Sequence, residues 1–197
     1  MSLAEYVAAE AAAADRHEYL RGDIYAMAGG TLEHAALAAA LAREVGIALG
    51  DKPCRVYSSD ARVRIEATDM STYPDLSVVC GELERAPGDT RAILNPIALF
   101  EVLSDSTEAY DRGAKASHYR HIAALQEYVL VSQSERRVEV QRRNAAGPWE
   151  THEYGLGERA ALEIPRNQHF VGRPASRSAR AGRTAALRRQ GNSEARP

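Results

Sequence analysis

The chain has 197 residues, 45% of them hydrophobic and 26% charged, which is the make-up of one ordinary folded domain with a proper core and excludes a fibrous or low-complexity chain. The formal net charge of −2 conceals a division, because Gly172 to Pro197 hold seven arginines and one acid and residues 1–171 therefore carry −8. The part expected to fold is acidic, and the longest apolar run, residues 35–42, is too short to cross a bilayer.

In chain order, the alanine-rich stretch near residues 2–14 predicts a helix, and its interspersed acids, Glu5, Glu10 and Asp15, rule out the hydrophobic run of a signal peptide. "RHEYLRGDIYAMAGG" predicts two short strands around an Arg-Gly turn. Thr31 is a cap for a helix running to about Leu49, with Leu37, Leu41 and Val45 at helical spacing and Gly50 stopping it. "RVYSSDARVRIEA" alternates like a single strand, and "LSVVC" and "ALFEVL" predict two more. From Ser106 and Thr107, both cap residues, helical spacing holds through Lys115, Tyr119 and Ile122. "QEYVLVS", "RRVEVQRR" and "WETHEY" predict a closing meander of strands. Strands grouped between two helices, without regular βα alternation, favour an α/β fold with a mixed sheet.

Residues 1–171 are expected to form one domain. The tail 172–197 lacks apolar periodicity and is expected to be disordered, whether as a nucleic-acid-binding arm, as a solvated appendage or as a run translated out of frame. Cys54 and Cys80 have no companion CxxC and are expected to be small buried hydrophobes in a reducing compartment. A soluble, cytoplasmic protein without a membrane partner is the corresponding expectation.

One pair of residues carries chemistry. Pro74 cannot donate to a sheet ladder and marks the start of "LSVVC", which leaves Asp75 at the rim. In "LFEVL" the period of two puts Leu99, Glu101 and Leu103 on one face, so a carboxylate interrupts an apolar strand. A buried carboxylate is costly unless it is paired or binds a cation. Two carboxylates from neighbouring strands suit a hard divalent ion such as Mg²⁺. The competing reading pairs Glu101 with Arg62 or Arg64.

"YPDLSVVCG" and "NPIALFEVLSDSTEAYDRGAKASHYRHIAALQEYVLV" closely resemble the Uma2 family, of the PD-(D/E)xK restriction-endonuclease-like superfamily, over most of residues 1–165. The resemblance implies a restriction-endonuclease-like core, a mixed β-sheet flanked by helices in the order α-β-β-β-α-β, with additional N-terminal and C-terminal strands. It also implies a Mg²⁺-dependent endonuclease, with Mn²⁺ as a substitute, acting on DNA, with Asp75 and Glu101 as metal ligands and the Val102 carbonyl as a third. By analogy with restriction-type enzymes, a twofold homodimer would cut both strands. The general pattern has a lysine two residues after the acid, where this chain has Leu103; in Uma2-like sequences the lysine comes from the following helix, here Lys115. Composition supports that choice, since the chain uses 23 arginines and only two lysines, Lys52 and Lys115, and a partly buried lysine, unlike arginine, can have its pKa depressed to activate water.

His34, Glu18 and Asp60 are further candidates to line the site. Each has a structural alternative: a buried hydrogen-bonded histidine, or an acid paired with a nearby arginine. His118 and His121 are assigned to helix surface and packing. Two other functions compete with the endonuclease: a nuclease-derived nucleic-acid-binding protein that has lost turnover, and a metal-dependent hydrolase of another phosphoester.

Overall fold

The computed structural model describes residues 1–27 and 29–163. The basic tail and the last residues expected in the domain lie outside them.

A capping box opens helix α1 (Leu3–Ala12), where the Ser2 hydroxyl accepts from the Glu5 amide and the Glu5 carboxylate accepts from the Ser2 amide. Strands β1 (His17–Leu20) and β2 (Asp23–Ala26) form a hairpin whose two turn residues both have positive φ, Arg21 at 52° and Gly22 at 99°. That twist suits a two-residue hairpin loop. Helix α2 (Leu32–Leu49) starts where the Thr31 hydroxyl accepts from the His34 amide and stops at Gly50, φ 52°.

The run expected as one strand is two. β3 (Cys54–Ser58) and β4 (Arg62–Ile65) are separated by a turn at Ser59–Ala61 and enter different sheets. After a single 3₁₀ turn come β5 (Met70–Thr72), β6 (Leu76–Cys80), β7 (Arg85–Ala86), β8 (Asp89–Ile93) and β9 (Ala98–Leu103). The helical segment that follows is α3 (Glu108–Tyr110), a wider π-helical turn at Asp111–Lys115, and α4 (Ala116–Tyr119). Strands β10 (Glu127–Ser132), β11 (Val138–Arg143) and β12 (Trp149–Tyr154) complete the described chain.

The single expected sheet is thus two six-stranded mixed sheets, β2-β1-β5-β4-β8-β7 and β12-β11-β10-β9-β6-β3. In the second, β9 runs parallel to β10 and antiparallel to β6, in the register Leu76 opposite Phe100. Strand alternation gives this sheet two apolar faces. Leu76, Val78, Phe100, Val129 and Val140 pack with Val45 and Leu49 of α2. Val79, Leu99, Leu103 and Leu130 pack on the other side with Ala116 and Tyr119 of α4 and with Val63, Ile65 and Met70 of the first sheet. The site therefore sits on a sheet covered by a helix on one face and by a helix plus a second sheet on the other, which holds its strands rigidly.

Cys54 and Cys80 face each other across β3 and β6 and are joined in a disulfide. The expectation of two free thiols is overturned, because strand register brings residues 26 apart in sequence directly opposite one another. No helix among the described residues is long and apolar enough to cross a membrane.

Candidate active site

Asp75 lies one residue beyond the Leu76–Phe100 pair, so the antiparallel register delivers it beside Glu101. Its Oδ2 accepts from the Val102 amide at 2.8 Å and lies 3.2 Å from His34 Nε2. The Asp75 amide in turn faces Glu101 Oε2 at 3.4 Å. The two carboxylates expected from the sequence are adjacent, at the mouth of two paired strands.

Glu101 is buried on the same face as Leu99 and Leu103. The arginine partners considered for it are engaged elsewhere: Arg62 makes a buried two-point pair with Asp89, at 2.9 and 2.7 Å, and Arg64 pairs with Asp69. Instead Glu101 Oε1 receives Lys115 Nζ at 2.9 Å and the Tyr119 hydroxyl at 2.7 Å. Burial pushes its carboxyl up to about 8, with Lys115 opposing the shift and the Asp111 and Asp75 charges adding to it.

Lys115 comes from the π-helical turn, and Leu103, at the place where the general pattern puts its lysine, is packed in the core. Besides Glu101, Nζ lies 3.3 Å from Glu18 Oε1 and 3.5 Å from Asp111 Oδ1. Burial alone would lower its pKa, but these three carboxylates outweigh burial and raise it well above the ordinary lysine value. The expectation of a depressed lysine is therefore corrected: burial occurs together with anionic partners, and the group is a fixed ammonium.

The other candidates divide. Glu18, on β1, belongs to this cluster: it bonds Lys115, accepts from the Tyr110 hydroxyl at 2.9 Å, and accepts from Thr72. His34 leans on Asp75 from the first turn of α2, and Gly30 lies so close to its ring that an added Cβ would meet Nδ1 at 2.9 Å. Asp60 is not among the residues lining this cavity; it sits in an exposed loop paired with Arg16. Sequence reasoning passed over Asp111, Tyr119 and Tyr110. A signal was available, because Asp111, Lys115 and Tyr119 recur at intervals of four on one helical segment.

Asp75, Glu101, Val102, Asp111, Lys115 and His34 line one cavity of about 670 Å³. Among the described residues no group of three or more His, Cys, Asp or Glu is arranged to hold a metal ion. Mg²⁺, however, takes one or two carboxylates and keeps several waters. Asp75 and Glu101 fit that demand: both are acidic oxygen donors, they are adjacent, and the Asp75 side chain remains 17% exposed beside the cavity.

Comparison with known proteins places these residues in context. A model of the Uma2 family, described as "Putative restriction endonuclease", matches residues 3–168. The uncharacterized protein slr1290 of Synechocystis is 36% identical over 163 residues, covering 83% of this chain and 85% of that protein. A second uncharacterized Synechocystis protein, sll1609, is 32% identical over 164 residues, covering 83% and 92%. A crystal structure titled as a putative nuclease belonging to DUF820, from Anabaena variabilis ATCC 29413, superposes with a TM-score of 0.60 at 20% identity, covering 76% of this chain and 81% of that one. At that identity the superposition establishes the shared fold.

Proposed function

This chain belongs to the Uma2 family, and on that premise we propose that it is a Mg²⁺-dependent endonuclease that hydrolyses phosphodiester bonds in DNA at the Asp75–Glu101–Lys115 cleft. The observation that carries the reading is the meeting, in one cavity, of two carboxylates from adjacent strands and a buried ammonium from a helix. Asp75, Glu101 and the Val102 carbonyl are the proposed ligands of Mg²⁺, with Mn²⁺ as a substitute. Such an ion, when bound, supplies Lewis acidity toward a phosphoryl oxygen and acidifies a water.

The chain's own groups hold this arrangement. The Val102 amide and His34 fix the orientation of Asp75, and Tyr119 and Lys115 fix that of Glu101. Lys115, anchored by three carboxylates, holds a positive charge beside Glu101 that stabilises negative charge developing in the cleft. Cutting both strands of a duplex with one cleft per chain would favour a twofold homodimer.

The test is nicking of supercoiled plasmid and of single-stranded DNA with Mg²⁺ or Mn²⁺. Asp75→Ala, Glu101→Ala and Lys115→Ala are each expected to abolish metal-dependent cleavage. Unchanged cleavage by folded Asp75→Ala or Glu101→Ala protein would overturn the site. The acidic body and Leu103 favour a second reading, a binding protein without turnover; a folded wild type that binds DNA and metal yet cleaves nothing would establish it.

A further inference from the structure

A second cavity, of about 640 Å³, opens beside the cleft. The two share a wall made by Ala14, Asp15, Arg16 and Tyr73, the last only two residues before Asp75. Their charges differ. The cleft has Arg16 and Lys115 against four acids, Asp15, Asp75, Glu101 and Asp111. The neighbouring cavity has four arginines, Arg16, Arg62, Arg85 and Arg91, against three acids, Glu10, Asp15 and Asp60.

Two of those arginines are occupied. Arg62 is held by Asp89 and by the Tyr73 hydroxyl, and Arg16 by Ser59 and Asp60. Arg85 and Arg91 are exposed, and among the described residues their side chains have no hydrogen-bond or ion-pair partner. They stand on the antiparallel pair β7 and β8, in which Arg85 is opposite Ile93, so strand pairing fixes their backbones. An unpaired guanidinium presents a planar fork of donors suited to a phosphate. In a body that is otherwise acidic, such a cluster beside a carboxylate cleft has a clear use: it holds the polyanion that the cleft itself repels.

We propose that this cavity seats the nucleotide next to the scissile phosphate on an unpaired nucleic-acid strand, with its phosphate on Arg85 and Arg91 and its base against the apolar wall of Tyr57 and Leu83. The proposal rests on the nuclease reading of the adjoining cleft and adds the substrate class. A cavity of this volume suits a small ligand such as one nucleotide. Aromatic walls joined to a basic rim are how unpaired strands are held without sequence readout. An unpaired substrate also removes the need for a second copy of the chain, since one strand needs one cleft.

The experiment measures fluorescence anisotropy of a labelled single-stranded 20-mer and of its duplex, in Ca²⁺ across a salt series, for wild type, Arg85→Ala/Arg91→Ala and the control Arg43→Ala, which lines neither cavity. Cleavage by each protein, and by Asp75→Ala, is assayed in parallel with Mg²⁺. The expected result is tighter binding of the single strand by wild type and a loss of about tenfold or more in the double variant. Its salt slope should be shallower by about 0.7, the share of one phosphate contact on a single strand, and Arg43→Ala should be unchanged. Unchanged single-strand affinity and slope in the double variant, with Asp75-dependent cleavage intact in wild type, overturn the subsite and leave the nuclease reading standing. A wild type that prefers the duplex overturns the unpaired-strand assignment. Absence of both binding and cleavage in folded wild type overturns the subsite together with the nuclease reading.

Discussion

Arg62 and Asp89 show what a charge needs in order to stay buried in this fold. Their two-point pair is completed by the Tyr73 hydroxyl, and Tyr73 in turn donates to Glu10. Arg62→Met leaves Asp89 buried without its partner and should cost about 3–5 kcal/mol in urea denaturation. The double change Arg62→Met/Asp89→Leu should recover much of that loss, and a variant no more stable than Arg62→Met alone would count against the pair as its cause. Tyr119→Phe removes the 2.7 Å hydrogen bond to Glu101. It should lower stability by about 1–3 kcal/mol and reduce cleavage while leaving secondary structure unchanged by circular dichroism. His118 is a third case: burial, then the Arg21 and His121 charges, hold its pKa below the ordinary 6.5. The folded chain gives up a proton that the unfolded chain keeps, so the penalty is full below the folded pKa and vanishes above the unfolded value. Stability should therefore rise with pH toward about 6.5, and the rise should flatten in His118→Gln when denaturation midpoints are compared between pH 5 and 7.

At the scale of elements, turns and caps were legible because their chemistry is local. Thr31, Gly50 and the Arg21-Gly22 turn act through their own backbone, and each was identifiable from the residues alone. Gly22 has φ 99°, and an added Cβ would meet the Met1 carbonyl oxygen at 3.4 Å. Gly22→Ala should therefore lower the unfolding free energy read from urea denaturation by about 1 kcal/mol or more. That Asp75 and Glu101 stand out as a pair was legible for a related reason, since a carboxylate at a strand mouth and another inside an apolar strand break the local pattern, and the structure brings the two together. What failed was non-local. That "RVYSSDARVRIEA" divides between two sheets follows from which strands it meets, and the short β5 and β7 have too few residues to show a period. The disulfide was missed for the same reason, because only the β3–β6 register makes Cys54 and Cys80 opposite. Reducing it should lower the thermal midpoint by an amount equivalent to about 2–4 kcal/mol; an unchanged midpoint with and without dithiothreitol would show that the bridge is not formed in solution.

For the whole molecule, the two sheets set the electrostatic plan. The sheet with the cleft brings Asp75, Glu101 and, through the helical segment, Asp111 to one place, while the other sheet contributes Glu18 from β1 and the arginines of β7 and β8. The mixed α/β architecture was expected, but its division into two sheets was not, and that division places the arginine-lined cavity beside the carboxylates. The lysine was anticipated on the helix and its electrical state was not, because a lysine's pKa depends on carboxylates brought in by three separate elements, β1, β9 and the π-helical turn.

That enclosed lysine also gives the protein a small chemical inventory. With two lysines, this chain presents three amines to an acylating reagent: the N-terminus, Lys52 and Lys115. Lys115 is only 4% exposed, so a short pulse of reagent should modify the other two and spare it. The rate at which a third acyl group appears in the intact-mass spectrum then counts how often the cleft comes apart, with no substrate and no assay of turnover.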